Sequence, residues 1–147
     1  MFLDTGFLRD EEIVLRLHHT EPADPARNWV PTYHFEICRC ADGAVMGVCD
    51  LRIGHNQQLY YGGNIGYRIE PPYRGHAYAA KACRLLFELA RRHGMDRLII
   101  TCNPDNLASA RTCEKAGGVL LEIVDLPPDN DMYLEGERQK RIYAFTL

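Results

Sequence analysis

The stretch NIGYRIEPPYRGHAYAAKACRLLFELARRHGMDRLIITC, residues 64–102, decides the fold. Its first seven residues have the composition of a strand, which Pro71 and Pro72 bring to an end. Apolar residues then recur at three- and four-residue spacing, which predicts an amphipathic helix over 75–93. The apolar run 96–102 predicts a buried strand. The order strand, helix, strand predicts a βαβ unit with a loop at the carboxyl end of its first strand.

The loop of this unit leads into the helix without a conventional N-cap residue. The first turn of a helix carries unpaired N–H groups and a partial positive charge, so it attracts anions. Gly75 removes one side chain from the approach, and Arg74 offers a charge-assisted contact. The loop is therefore either a phosphate site or an ordinary strand-to-helix turn with a solvated arginine. The P-loop pattern and the dinucleotide fingerprint are both absent.

Composition narrows the class of protein. The chain has 147 residues, of which 46% are hydrophobic and 25% charged, as expected for one globular domain. A net charge of −3 argues against a broad nucleic-acid-binding face. No apolar run has the length of a membrane span, and no secretory signal is visible. We therefore predict a cytoplasmic protein that binds neither nucleic acid nor membrane.

The cysteines and histidines show no metal-site spacing. None of the six cysteines forms a C-x-x-C pair, and most lie in apolar contexts that favour burial as reduced thiols. The adjacent His18 and His19 fall within the first predicted strand, where successive side chains point to opposite faces. We therefore predict a structural role for both histidines and no metal site.

The other segments predict a single α+β domain over 1–147. Asp42-Gly43 is a tight turn that joins two strands into a hairpin over 32–53. Asn106 is a natural N-cap for a helix over 106–118. The resulting fold has a mixed, mostly antiparallel, twisted sheet of about seven strands around the βαβ unit. Further strands are predicted over 11–20, 119–126 and 138–147, and connecting loops over 21–31, 54–63 and 127–137.

Two motifs give the chain a resemblance to the GNAT acetyltransferase superfamily. Residues 74–79, RGHAYA, resemble the acetyl-CoA loop [RQ]-x-x-G-x-[GA], with Ala77 where glycine is usual. Residues 103–118, NPDNLASARTCEKAGG, resemble the segment N-x-x-S-x-x-x-Y-E-K-x-G, with Cys113 where tyrosine is common. The resemblance covers about three quarters of the chain. It is poor over 1–31, where the helices that the family has between its first two strands are shortened or missing.

The resemblance implies an acetyl-CoA-dependent N-acetyltransferase acting by direct attack of a primary amine on the thioester. In the family, N–H groups of the loop bind the pyrophosphate of the coenzyme, and the pantetheine arm pairs with the strand before the loop. The implied coenzyme-binding residues are Ile69, Arg74, Gly75, His76, Ala77, Tyr78, Ala79, Asn106 and Ser109.

The resemblance leaves the catalytic groups open. Cys113 stands in the place of the tyrosine that protonates the leaving thiolate, and it either donates a proton or only packs. Substitute donors are Tyr67, Tyr78 and Tyr143. The general base is either Glu70, which ends the strand before the loop, or His55, since histidine is a common base.

The acceptor is implied to enter between the last loop and the N-terminal segment. The acidic residues of that loop would attract a cationic small-molecule or peptide amine, or they are only solvated surface. The short 21–31 connector implies a site that is open or is closed by the second subunit of a homodimer. The acidic residues of the loop are Asp125, Asp129, Asp131, Glu135 and Glu137.

Two other functions remain open: a non-catalytic acyl-CoA-binding module, and a protein whose loop binds another phosphate or serves only packing.

Overall fold

The computed structural model describes residues 1–147, which form seven strands and four α-helices. Only a 3₁₀ turn at Pro25–Arg27 occupies the connector between the first two strands, in agreement with the loop predicted over 21–31. A second 3₁₀ turn lies at Pro71–Tyr73. In chain order the elements are β1 Ile13–Glu21, β2 Thr32–Arg39, β3 Val45–Arg52, α1 Gln57–Gly62, β4 Ile65–Ile69, α2 Tyr78–Arg92, β5 Arg97–Cys102, α3 Leu107–Lys115, β6 Val119–Asp125, α4 Asp131–Leu134 and β7 Gln139–Thr146.

The strands form two antiparallel sheets, in the orders β1-β2-β3-β4 and β5-β7-β6. The α+β class and the seven strands are confirmed, but the single mixed sheet is replaced by two sheets. The physical reason is that β4 and β5 bond to each other only at their junction. There the Asn64 N–H donates to the Ile99 carbonyl at 2.6 Å, and the Ile99 N–H donates to Asn64 Oδ1 at 2.9 Å. Beyond this point the two strands form no ladder, which leaves an opening between them.

One hydrophobic core joins the two sheets. The apolar face of α2 packs on the inner face of the first sheet, with Leu86 and Leu89 fully buried. Leu98 and Phe145 extend the same cluster into the second sheet. Two edge strands, β4 and β5, therefore face each other beneath α2 and α3. No helix of the protein combines the length and the apolar character that crossing a bilayer requires.

Two short helices lie in segments predicted to be loops, and both begin at an asparagine. Asn56 Oδ1 accepts a hydrogen bond from the Leu59 N–H at 2.9 Å at the start of α1. Asn130 Oδ1 accepts from the Met132 N–H at 2.9 Å at the start of α4. Side-chain capping of this kind satisfies N–H groups that a short helix cannot pair internally. The asparagines were the sequence signal for these helices.

The β1–β2 ladder contains a bulge. Its register shifts between Leu17 and His19, which makes His18 the extra residue. A bulge breaks the alternation of side chains along a strand. His18 and His19 are both exposed, with their Nδ1 atoms 2.7 Å apart, so the prediction that they point to opposite faces is wrong.

Candidate active site

The free edge of β4 faces the opening between the sheets. The Arg52 N–H donates to the Asn64 carbonyl and the Glu70 N–H donates to the Met46 carbonyl, so even-numbered residues bond to β3. Alternation along an antiparallel ladder then turns the backbone groups of Tyr67 and Ile69 toward the opening. An extended ligand could therefore pair with β4 as an additional strand.

The start of α2 lies at one end of this opening and has no side-chain cap. None of the backbone N–H groups from Ala77 to Ala80 has an acceptor in the protein, and the first paired one is Lys81, to the Ala77 carbonyl at 3.1 Å. The other three α-helices each begin with an asparagine whose side chain accepts a hydrogen bond. The longest helix thus presents four free donors and the positive end of its dipole, which together suit an anion.

The loop before α2 is held in an unusual backbone conformation. Gly75 has φ +88° and Ala77 has φ 61° and ψ 24°, both in the left-handed region. This conformation costs a residue with a Cβ about 1–2 kcal/mol, whereas glycine adopts it freely. The structure therefore explains why alanine at this position is a departure from the glycine-bearing loop pattern. The methyl group strains the backbone but leaves the N–H groups without acceptors.

Arg74 fastens the loop to the end of β4. Its Nε donates to the Ile69 carbonyl at 2.8 Å, while the side chain remains exposed. The guanidinium has five donors, so this contact leaves others for an anion at the helix start. The next three loop residues, Gly75 to Ala77, are exposed, and Tyr78 and Ala79 are buried in the first turn of the helix.

Tyr67, Ser109 and Cys113 meet between β4 and α3. The Tyr67 hydroxyl lies 2.6 Å from Ser109 Oγ and 3.9 Å from Cys113 Sγ. Burial raises the pKa of the Cys113 thiol to about 12, so the thiol is protonated at neutral pH. Burial also raises the pKa of Tyr67 well above its ordinary value, while the Ser109 hydrogen bond lowers it. Tyr67 is therefore a neutral hydroxyl placed beside the position where the family commonly has tyrosine.

The remaining candidate residues are dispersed. Asn106 Oδ1 caps α3 by accepting from the Ser109 N–H at 3.1 Å. Glu70 pairs with Arg68 at 3.8 Å at the end of β4. His55 is exposed before α1 and forms no hydrogen bond. Tyr143 is buried on β7, and its hydroxyl has no hydrogen-bond partner.

A cleft of about 800 Å³ lies where the acceptor is expected, between the 21–31 connector, α1 and the segment after β6. Trp29 lines it and is 47% exposed. Of the acidic loop residues, Asp129 and Asp131 line the cleft, together with Glu21. The others lie elsewhere: Asp125 accepts a hydrogen bond from Gln139, Glu137 pairs with Lys140, and Glu135 is exposed.

A second cavity of about 520 Å³ lies on the outer face of the first sheet, and sequence reasoning missed it. Its polar side chains come from alternate positions of β2, β3 and β4, beginning with His34 and Glu36 on β2, and from the bulge of β1. The signal was present, because alternation places the polar residues of β2, β3 and β4 on one face. The other polar side chains that line the cavity are His18, His19, Asp50 and Arg68.

Comparison with known proteins gives matches to acetyltransferases. Residues 6–119 match the acetyltransferase (GNAT) domain family. The uncharacterized N-acetyltransferase YnaD of Bacillus subtilis is 33% identical over 73 residues, or 46% of this chain. A GNAT-family acetyltransferase from Bacillus anthracis superposes with a TM-score of 0.61 over 77% of the chain at 22% identity. The microcin C7 self-immunity acetyltransferase MccE, solved with acetyl-CoA and AMP, gives 0.62 over 79% at 20% identity.

The matches leave part of each relative uncovered. They span 43% of YnaD, 65% of the Bacillus anthracis chain and 61% of MccE. The structural matches share too little sequence to show more than the fold. The family match, in contrast, includes β1 to α3 and most of the opening between the sheets. The chain belongs to the GNAT acetyltransferase family.

Proposed function

We propose that the protein moves an acetyl group from acetyl-CoA to a primary amine by direct attack of the amine on the thioester. The observation that carries the proposal is the uncapped start of α2, where four consecutive N–H groups lack acceptors beside the opening between β4 and β5. A pyrophosphate has the charge and the acceptor oxygens to satisfy them. The presence of acetyl-CoA in the structure of MccE, which has a similar fold, supports the same co-substrate here.

The elements around the opening suggest how the coenzyme binds. Its pyrophosphate would accept bonds from residues 77–80, with Arg74 adding a charge-assisted contact. Its pantetheine arm would run along the free edge of β4 and pair with the backbone of Tyr67 and Ile69. Ser109 would contact it from α3, while Asn106 would act through the helix start that it caps. Gly75 and His76 would shape the approach to the phosphates.

The chemistry requires two proton movements. The amine, whose pKa is about 10.4 when lysine-like, must lose a proton before its lone pair attacks the carbonyl carbon. As the C–N bond forms and the C–S bond breaks, the thiolate of the coenzyme must take up a proton or a strong hydrogen bond. We assign that donor role to Tyr67, whose hydroxyl Ser109 positions at 2.6 Å. The Ser109 hydroxyl can in turn donate to the phenolic oxygen as negative charge develops there.

Cys113 is assigned to packing in this mechanism. Its thiol is fully buried, and a thiol is a weaker hydrogen-bond donor than the Tyr67 hydroxyl beside it. Two bases remain, Glu70 near the loop and the exposed His55. The variants Glu70→Gln and His55→Gln separate the two candidates. Only loss of the true base should lower the rate at neutral pH and shift the pH–rate profile toward alkaline pH.

A cationic amine suits the 800 Å³ cleft. The carboxylates of Glu21, Asp129 and Asp131 face it, and Arg52 at its border is paired with Asp50 at 3.2 Å. Excess negative charge in a cleft raises the local concentration of a cation. The exposed ring of Trp29 adds a surface on which an ammonium group can be held. The acceptor is thus proposed to be a cationic small molecule or a peptide amine.

Thermal unfolding with and without acetyl-CoA tests the coenzyme assignment. A ligand that binds only the folded state raises its melting temperature. Wild-type protein should be stabilised. Arg74→Glu should lose that stabilisation, and its unliganded melting temperature should fall only slightly through loss of the hydrogen bond to Ile69. Arg97→Glu is the matched control, since Arg97 is exposed at the start of β5 and has no ion-pair partner. An unchanged wild-type melting temperature would contradict the assignment.

Release of free thiol from acetyl-CoA over a panel of amines then tests catalysis. Turnover with at least one cationic amine is the expected result. Tight acetyl-CoA binding without thiol release for any amine would instead identify a non-catalytic acyl-CoA-binding module.

A further inference from the structure

Three potential metal ligands converge on the outer face of the first sheet, on the side away from α2. They are His19 and Glu21 of β1 and His34 of β2, and their ligand atoms all lie within 4.8 Å of one another. Glu21 and His34 also border the 800 Å³ cleft proposed for the acceptor, but no proton transfer in the proposed reaction uses any of the three. Two of the three, His19 and His34, also line the 520 Å³ cavity.

The bulge in β1 creates this convergence. After the register shift at His18, His19 lies directly opposite His34 in the antiparallel ladder. Opposed residues on one face of such a ladder have Cβ atoms about 5 Å apart, close enough for two imidazoles to share a ligand. Glu21 is two residues beyond His19 and therefore on the same face. The two imidazole rings stack with centroids 4.2 Å apart and planes at 10°.

The distances approach those of a coordination sphere. Glu21 Oε1 lies 2.6 Å from His34 Nε2 and 3.6 Å from His19 Nε2. Tetrahedral zinc with bonds of 2.0–2.2 Å separates its ligand atoms by about 3.3 Å. Small rotations of these side chains would bring the three atoms to that spacing. An ion would then replace the direct contact between His34 and Glu21.

His18 supplies an outer contact of the kind that metal-binding histidines use. Its Nδ1 lies 2.7 Å from His19 Nδ1, so one ring donates to the other. A hydrogen bond at Nδ1 fixes the orientation of the ring and leaves Nε2 as the ligand atom. Nε2 is the His19 nitrogen that faces Glu21. The extra residue of the bulge therefore orients the residue that follows it.

We propose that His19, Glu21 and His34 bind a divalent transition-metal ion, with Zn²⁺ as the best match to two imidazoles and one carboxylate. Three protein ligands leave a fourth position for water or an anionic group that enters from the cavity. The sequence predicted no metal site because no cysteine or histidine spacing indicated one. The pairing of His19 with His34 appears only in the register that follows the bulge.

Isothermal titration calorimetry with zinc chloride, on protein first treated with a chelator, tests the site. Wild-type protein should bind one saturable equivalent. His34→Asn and Glu21→Gln should each weaken binding at least roughly tenfold, because loss of even an outer-shell partner commonly costs 10–100-fold. The control His76→Asn removes an exposed histidine from the loop before α2 and should bind as wild type does.

Cobalt provides an independent readout. Co²⁺ bound at this site should give visible absorption bands that shift or vanish in His19→Asn, with circular dichroism showing that the variant is folded. Zinc binding that is equal in wild type and His34→Asn would overturn the proposal. Failure of the folded wild-type protein to bind either ion would do the same.

Discussion

Asn64, directly before β4, bonds to Ile99 on β5 with its side chain as well as its backbone. The Asn64 N–H donates to the Ile99 carbonyl, and Asn64 Oδ1 takes the place of a backbone carbonyl by accepting from the Ile99 N–H. The amide nitrogen donates to the carbonyls of Arg52 and Gly54 at 3.0 and 2.8 Å. Asn64 is only 1% exposed, so one buried side chain joins the two sheets at the point where they begin to diverge.

Replacing Asn64 should cost much of the stability of the fold. Asn64→Ala leaves the buried N–H of Ile99 unpaired and removes two donors, which predicts a loss of about 2–5 kcal/mol in the free energy of unfolding. Urea unfolding measures this. Asn106→Ala is the control at a helix N-cap and should cost only about 1 kcal/mol. Equal losses in the two variants would show that the junction contributes no more to the free energy of unfolding than a helix N-cap does.

Tyr67→Phe should lower kcat by about 10²-fold or more, because it removes the hydroxyl proposed to stabilise the leaving thiolate. The KM for acetyl-CoA should change little, since the ring remains in place. Ser109→Ala should cause a smaller loss of kcat by leaving the hydroxyl present but less well positioned. Steady-state assays of thiol release measure both effects.

Tyr60→Phe is the control for this experiment. It removes a hydroxyl on α1 that bonds instead to Glu122. Its kcat should match that of the wild type. If Tyr67→Phe also kept the wild-type kcat, the donor would have to be another group, and Tyr67 would only support α3.

Ala77→Gly should stabilise the protein by roughly 0.5–1 kcal/mol. Glycine relieves the cost of the left-handed conformation of Ala77, less the entropy that a glycine loses on folding. Ala82→Gly provides the contrast, because Ala82 is fully buried within α2, where lost helix propensity and a lost buried methyl group should together destabilise by roughly 1–2 kcal/mol. Chemical denaturation compares the two. A destabilised Ala77→Gly would indicate that the backbone at this position is not strained.

Stability should fall as the pH drops below about 6.5 because of His93. Burial, aided by the charge of the N-terminus, lowers the pKa of His93, whose Nε2 lies 2.5 Å from the Tyr33 hydroxyl. The unfolded chain then binds more protons than the folded protein in this range. The stabilisation is therefore complete above the unfolded pKa and is lost as the pH falls toward the folded one.

Urea unfolding at a series of pH values tests this dependence. His93→Gln cannot titrate and should show a shallower fall in the free energy of unfolding than the wild type. His76→Gln, which changes an exposed histidine, should keep the wild-type slope. A steeper slope in His93→Gln would reverse the sign of the inferred shift.

Local signals in the sequence predicted most of the elements. Asp42-Gly43 specifies the β2–β3 turn because glycine accepts the positive φ of 72° found there. Asn106 specifies the start of α3, and the spacing of apolar residues specifies α2. The strand–loop–helix order also placed the loop before α2 at the carboxyl end of β4, and the fold agrees with that placement.

What the sequence did not reveal depends on contacts between distant segments. The divergence of β4 from β5 begins at the hydrogen bonds between Asn64 and Ile99. These two residues are 35 positions apart in the sequence. The contact between Tyr67 and Ser109 likewise joins a strand to a helix 42 residues later. The bulge at His18 depends on its pairing with β2. Periodicity within one segment contains no information on such pairings.

The single junction between the sheets has a consequence for how the protein opens. Each sheet holds its own ladders, so the backbone amides of β4 and β5 near the gap should exchange their hydrogens faster than those of β3 and β7. A coenzyme arm paired along β4 would supply hydrogen bonds that the chain itself does not make there. In the proposed enzyme the bound co-substrate would therefore also stabilise the backbone on either side of the gap. The amide exchange rates of β4 would then show whether it is bound.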